Sequence, residues 1–206
     1  MKIAVALVGF ALLAALAQAQ QAPAKPDIAK GHDIVKKNCV ACHGEDGNST
    51  SSANPKLASQ IPEYMHKQLA SFKANSERKS GVMLGMAGGL SDADMLNVSA
   101  YYATQKPKEG VAKNRETLAL ARKIFRGGDA ARGLPACAAC HGATGAGIPA
   151  QFPRLAGQFA EYTEAQLKAF RADERTNDAN GMMRSIASKL NDAEIGAVAD
   201  YIAGLR

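Results

Sequence analysis

The chain has 206 residues, with 25 Lys and Arg against 19 Asp and Glu, a formal net charge of +6 and no Trp. That basic excess is mild, and it is not laid out as a basic stripe interleaved with aromatics, which argues against nucleic-acid binding. An acidic protein partner or an anionic membrane surface fits the balance better.

Residues 1–19, MKIAVALVGFALLAALAQA, combine an early Lys, an apolar run and a small-residue Ala-Gln-Ala end. These are the three parts of a cleaved export signal. The apolar run is short for a membrane span, and no later segment is longer. An exported mature chain beginning at Gln20 is expected. The first helix falls over Ala29–Lys37 and leads into the motif CVACH at 39–43. A loop rich in Gly, Ser and Asn follows at 44–54. Glu63–Ala74 places Tyr64, Leu69 and Phe72 at helical spacing. Ser91 is a good N-cap with acidic residues behind it, so another helix starts there and runs through LSDADMLNVSAYYATQ. The polar QKPKEGVAKN at 105–114 reads as a linker. Thr117–Arg126 is helical again and leads into CAACH at 137–141 and a loop at 142–151. Helices over Glu161–Ala172 and from Asn191 to the end complete the chain. Period-2 runs of β-branched residues are absent, so the fold class is all-α.

The second half repeats the first. At an offset of 98, NPKLASQIPEYMHKQLASF (54–72) lies over FPRLAGQFAEYTEAQLKAF (152–170). After Arg78 and Arg175 the offset becomes 100, and GVMLGMAGGLSDADM lies over GMMRSIASKLNDAEI. Two tandem modules are expected, at 20–108 and 109–206. A unit of about 90 residues buries a marginal core and gains from a cofactor or a staple.

The cysteines name the cofactor. Disulfides, a thiol redox pair and half a zinc site all use Cys-x-x-Cys. The His immediately after the second Cys, in both copies, points to covalent c-type haem. Cys39 and Cys42, then Cys137 and Cys140, would add across the two vinyl groups of a haem, and His43 and His141 would bind its iron. No cysteine is left for a disulfide. The sixth iron position separates a carrier from an enzyme. His66 aligns with Glu164, so symmetric bis-His ligation fails, and most methionines align with other residue types. Only Met83 and Met183 align with each other, in a Gly-x-Met stretch read as a loop before the last helix. The axial pairs are therefore expected to be His43/Met83 and His141/Met183. His32 and His66 have no counterparts and read as exposed helix residues.

These residues resemble class I cytochromes c, and the tandem arrangement resembles the dihaem cytochrome c4 family. The resemblance rests on CVACH and CAACH, PKL and PRL, YMHKQL and YTEAQL, and the two blocks around Met83 and Met183. It implies two class I domains related by pseudo-two-fold symmetry, each wrapped around one covalent haem, with propionates near the interface. It implies that the carbonyls of Pro55 and Pro153 accept from the other nitrogen of the haem-ligating His. It makes Tyr64, Tyr162, Arg78 and Arg175 candidates to hydrogen-bond propionates. It implies a monomeric periplasmic carrier of single electrons, peripherally associated with the membrane. Its partners would be redox proteins such as a quinol-cytochrome c reductase and a terminal oxidase. The alternative is the cytochrome subunit of a larger exported oxidoreductase, such as a sulfide-oxidising flavocytochrome. A haem enzyme or gas sensor would need an open iron, against which the matched methionines argue. The second module also carries the insertion RGGDAARGLPA before its motif, which makes the two haem edges unequal.

Overall fold

The structure is a computed structural model and describes residues 25–206. The proposed export signal at 1–19 lies outside the described residues. The first module contains α1 (Ile28–Asn38), α2 (Val40–His43), α3 (Pro62–Ala74), α4 (Gly81–Gly88) and α5 (Asp92–Ala103). The second contains α6 (Leu118–Gly127), α7 (Cys137–His141), α8 (Ala160–Arg171), α9 (Met182–Ala187) and α10 (Asp192–Ala203). Two short 3₁₀ turns, Ala130–Arg132 and Ala179–Gly181, belong to the second module alone. Among the described residues there is no β-strand, only three isolated bridges.

Local chemistry sets the helix ends. The Asp27 carboxylate accepts from the Lys30 amide at the start of α1, while its own amide donates to Asn97 Oδ1 on α5 at 2.7 Å. Pro62 opens α3, where a missing N–H costs nothing. α5 and α10 each begin with a reciprocal capping box, Ser91 with Asp94 and Asn191 with Glu194. α1 and α5 cross so closely that a Cβ on Gly31 would meet the Asn97 carbonyl oxygen at 2.1 Å.

Each module closes on its own core. The first gathers Val35, Met65, Val98, Tyr101 and Tyr102. The second is larger and more aliphatic, built on Ile124, Phe125, Leu167, Ile195, Val198 and Ile202 among others. The linker is pinned at both ends rather than loose. Asn48 binds Lys106 and Lys108 on the first side, and the Asp200 carboxylate accepts from the Lys113 and Asn114 amides on the second.

The modules meet through reciprocal contacts. The Gln60 side chain donates to the Arg154 carbonyl at 3.0 Å and accepts from the Arg154 amide at 2.9 Å. Gln158 does the same with Lys56, at 2.9 and 3.0 Å. Arg78 and Arg175 face each other across an antiparallel bridge. The same positions of the repeat serve on both sides, which is the signature of an isologous, pseudo-two-fold interface.

Candidate functional site

One helical turn builds each motif. Spacing of three and four residues puts Cys39, Cys42 and His43 on one side of that turn, and Cys137, Cys140 and His141 likewise. The Gly- and Ser-rich loops then fold back beneath it. The Gly47 carbonyl accepts from the Leu57 amide at 2.7 Å, and the Gly145 carbonyl from the Leu155 amide at 2.8 Å. Both closures carry a proline to the histidine.

His43 Nδ1 lies 2.9 Å from the Pro55 carbonyl oxygen, and His141 Nδ1 lies 2.9 Å from that of Pro153. A carbonyl can only accept, so Nδ1 carries the proton and Nε2 presents a lone pair. Both rings are buried, at 8% and 7% exposure. Burial pulls their pKa below the usual value, and the hydrogen bond to proline only partly offsets this. Each histidine is thus held as a neutral, oriented imidazole, the form that binds a metal.

The cysteines are placed for attachment rather than for thiol redox chemistry. Burial raises the Cys39 and Cys137 thiols to about 11, whereas a thiol redox site depends on a lowered value. No disulfide joins the four cysteines. Among the described residues no group of three or more His, Cys, Asp or Glu is gathered for a metal ion, so a zinc site lacks its ligand set. Cys39 and Leu57 pack on the first core; Cys137, Leu155 and Met183 pack on the second. Two thiols, a buried imidazole and an apolar wall fit a covalently held haem.

The methionines call for a correction. Met83 and Met183 sit in the first turns of α4 and α9, not in loops. Ser80 caps α4 by accepting from the Met83 amide, and this short apolar helix lacks the amphipathic pattern that would mark it in sequence. Both methionines are half-buried. His32 and His66 are also half-buried rather than exposed. His32 pairs with Glu45 at 2.5 Å and stacks on Tyr101, and His66 pairs with Asp92 at 2.7 Å.

A polar cluster spans the module interface. Arg78 donates to Gln68 and, at 2.7 Å, to the Tyr162 hydroxyl. Arg175 donates to Gln166 at 2.8 Å and to the Tyr64 hydroxyl at 3.0 Å. Each guanidinium lies over a phenyl ring of its own module, Phe72 or Phe170. Both arginines are buried, at 7% and 6% exposure, and among the described residues neither makes an ion pair. Burial alone would raise the Tyr64 phenol, but the Arg175 and Arg78 charges more than offset it and its pKa falls. Gln60, Gln68, Gln158 and Gln166 carry much of this interface. The sequence signal for them was their matched register in the two copies.

The Cytochrome c family model matches the chain twice, over residues 28–106 and 122–206. The chain belongs to the cytochrome c family. As a tandem member it binds two covalent c-type haems and is a dihaem electron-transfer protein. Cytochrome c4 of Thiocapsa roseopersicina is 46% identical over 89% of this chain and 95% of its own length. The crystal structure of reduced cytochrome c4 from Pseudomonas stutzeri matches with a TM-score of 0.84 and 42% identity, over 88% of this chain and all of that one. A thiosulfate dehydrogenase electron acceptor of Stutzerimonas stutzeri is 36% identical over 97% of this chain and 94% of its own length.

Proposed function

We propose that this cytochrome is an exported, periplasmic carrier that moves single electrons between respiratory donors and a terminal oxidase or reductase. Its modules divide at 108/109, between the linker residues tied to Asn48 and those tied to Asp200. Cys39, Cys42, Cys137 and Cys140 hold the haems, and His43/Met83 and His141/Met183 are the axial pairs. Haem c, when bound, supplies the one-electron iron couple. The chain's residues orient it, exclude water and close the iron. The observation that carries this reading is the twin arrangement of a buried imidazole, fixed through Nδ1 by a proline carbonyl, with one matched methionine in each copy. Thioether ligation raises haem potentials, as a carrier late in a respiratory chain requires. Two buried guanidiniums without a carboxylate demand an anion, because an uncompensated buried charge costs several kcal/mol. Haem propionates would supply it.

The visible spectrum of the reduced holoprotein, with and without carbon monoxide, tests the axial pairs. An unchanged spectrum is expected; a shift at either haem means an open iron and returns a catalytic or sensing role. The alternative is the cytochrome subunit of a larger exported oxidoreductase. Relatives named as thiosulfate dehydrogenase electron acceptors favour a dedicated acceptor serving one such enzyme. Co-purification of a stable complex with a single oxidoreductase would favour it.

A further inference from the structure

The outward face of α6 gathers positive charge that the protein leaves unmatched. Ala121, Ile124 and Phe125 turn into the second core, and Phe125 is fully buried. Helical geometry then sends Arg122, Lys123 and Arg126 outward together, around Ala119. All three are exposed, as is Arg115 just before the helix. Among the described residues none of these four makes an ion pair. Glu116 is the sole acid in residues 115–127. Leu118 and Leu120 flank the charges at 40% and 42% exposure.

The equivalent helix of the first module differs. On α1, Lys36 pairs with Asp33 at 3.0 Å and His32 pairs with Glu45. Among the described residues Lys30 and Lys37 are the α1 cations left outside ion pairs, against three on α6, and α6 packs directly on the α7 attachment motif.

We infer that the α6 face is a docking surface for an acidic redox protein, which exchanges electrons with the second module. Charge complementarity selects an acidic partner. Arginine makes up three of the four cations, and its planar fork pairs bidentately with carboxylates, which suits a protein interface. The leucines are more than half covered, so they can pack against a partner's rim but offer little apolar surface to a bilayer. This inference rests on the haem-carrying role of CAACH but not on the identity of either methionine ligand.

The test compares two charge-reversed holoproteins, Arg122→Glu with Lys123→Glu on α6, and Lys30→Glu with Lys37→Glu on α1. Binding to immobilised poly-L-glutamate at low ionic strength is the readout, with thermal melting to confirm that both variants stay folded. Binding weakened about tenfold or more by the α6 pair, and less than twofold by the α1 pair, supports the proposal. Equal weakening by both pairs overturns it, because net charge alone would then be responsible. It is also overturned if the α6 pair abolishes sedimentation with phosphatidylglycerol vesicles yet leaves poly-L-glutamate binding intact, since the face would then serve lipid. Retention of both haem spectra in the variants separates a failed docking surface from a failed haem assignment.

Discussion

At the scale of single residues, protonation of one nitrogen organises the site. Because the Pro55 and Pro153 carbonyls hold Nδ1–H, each imidazole has only Nε2 left to offer, and on the proposed ligation it would bind iron from a fixed ring plane. The opposite ligand is proposed to be Met83 in the first module and Met183 in the second. Met83→His is expected to lower one of the two reduction potentials and leave the other nearly unchanged, as measured by redox titration. If both stay where they are, Met83 is not an axial ligand. The histidine geometry is legible in sequence, because Cys-x-x-Cys-His brings two thiols and an imidazole together within five residues and a Pro-x-Leu lies twelve residues after each histidine. Partner choice at Arg78 and Arg175 is not legible. An arginine in a sequence carries no mark of the tyrosine it will meet in another module, and here each reaches across to the other copy's phenol.

At the scale of elements, two features set how the helices bear on the motifs. The first is the approach of α1 to α5 at Gly31. Gly31→Ala would put a methyl against the Asn97 carbonyl, and overpacking of this kind costs about 1–3 kcal/mol. A lower Tm confined to the first module is expected, since α6 carries Ala121 at the matching position. The second is the insertion before CAACH, which the sequence shows as extra length that makes the two haem edges unequal. The structure ties it down: Arg132 bonds Asp129, the Lys189 carbonyl and, through two nitrogens, Glu194 at the start of α10. The Arg132 guanidinium holds the Glu194 carboxyl below its ordinary value of 4.5. A depressed carboxyl contributes stability above its ordinary value and loses it as pH falls through the folded value. Glu194→Gln is therefore expected to lower the second module's Tm by a few degrees at neutral pH, with the gap to the parent closing under acid. A gap that stays constant as pH falls would show that the pair contributes nothing by charge. The basic face of α6 belongs to this scale too. In sequence its charges look scattered, and only the 3.6-residue turn brings Arg122, Lys123 and Arg126 together.

At the scale of the whole molecule, the interface carries both symmetry and its breaking. Gln60 and Gln158 make the same set of bonds: each donates to one cross-module carbonyl, accepts from one cross-module amide and accepts from the amide of the next residue in its own module. Around the arginines the symmetry fails. Asn177 accepts from Arg175 Nε at 3.0 Å and donates to Gln68 at 2.8 Å, while its carbonyl receives Lys67. In the repeat Lys67 aligns with Ala165 and Asn177 falls in the longer stretch between Arg175 and Gly181, so the first module provides no equivalent pair. An isologous contact with one lopsided corner makes two distinct demands. Gln60→Ala and Gln158→Ala should each strand buried amides and carbonyls, at about 1–3 kcal/mol for each unsatisfied group, and their costs should agree closely. Calorimetry should show the melting of the two modules pulled apart to the same degree in both variants. Asn177→Ala should instead leave the modules docked and act only at the Arg175 corner, because it removes the acceptor of Arg175 Nε and the donor to Gln68 while the paired glutamine contacts stay in place. Unequal effects of the two glutamine substitutions would mean that the modules are not held by the reciprocal contacts seen here. The pseudo-two-fold axis would then be a relic of the duplication rather than the source of the interface's strength.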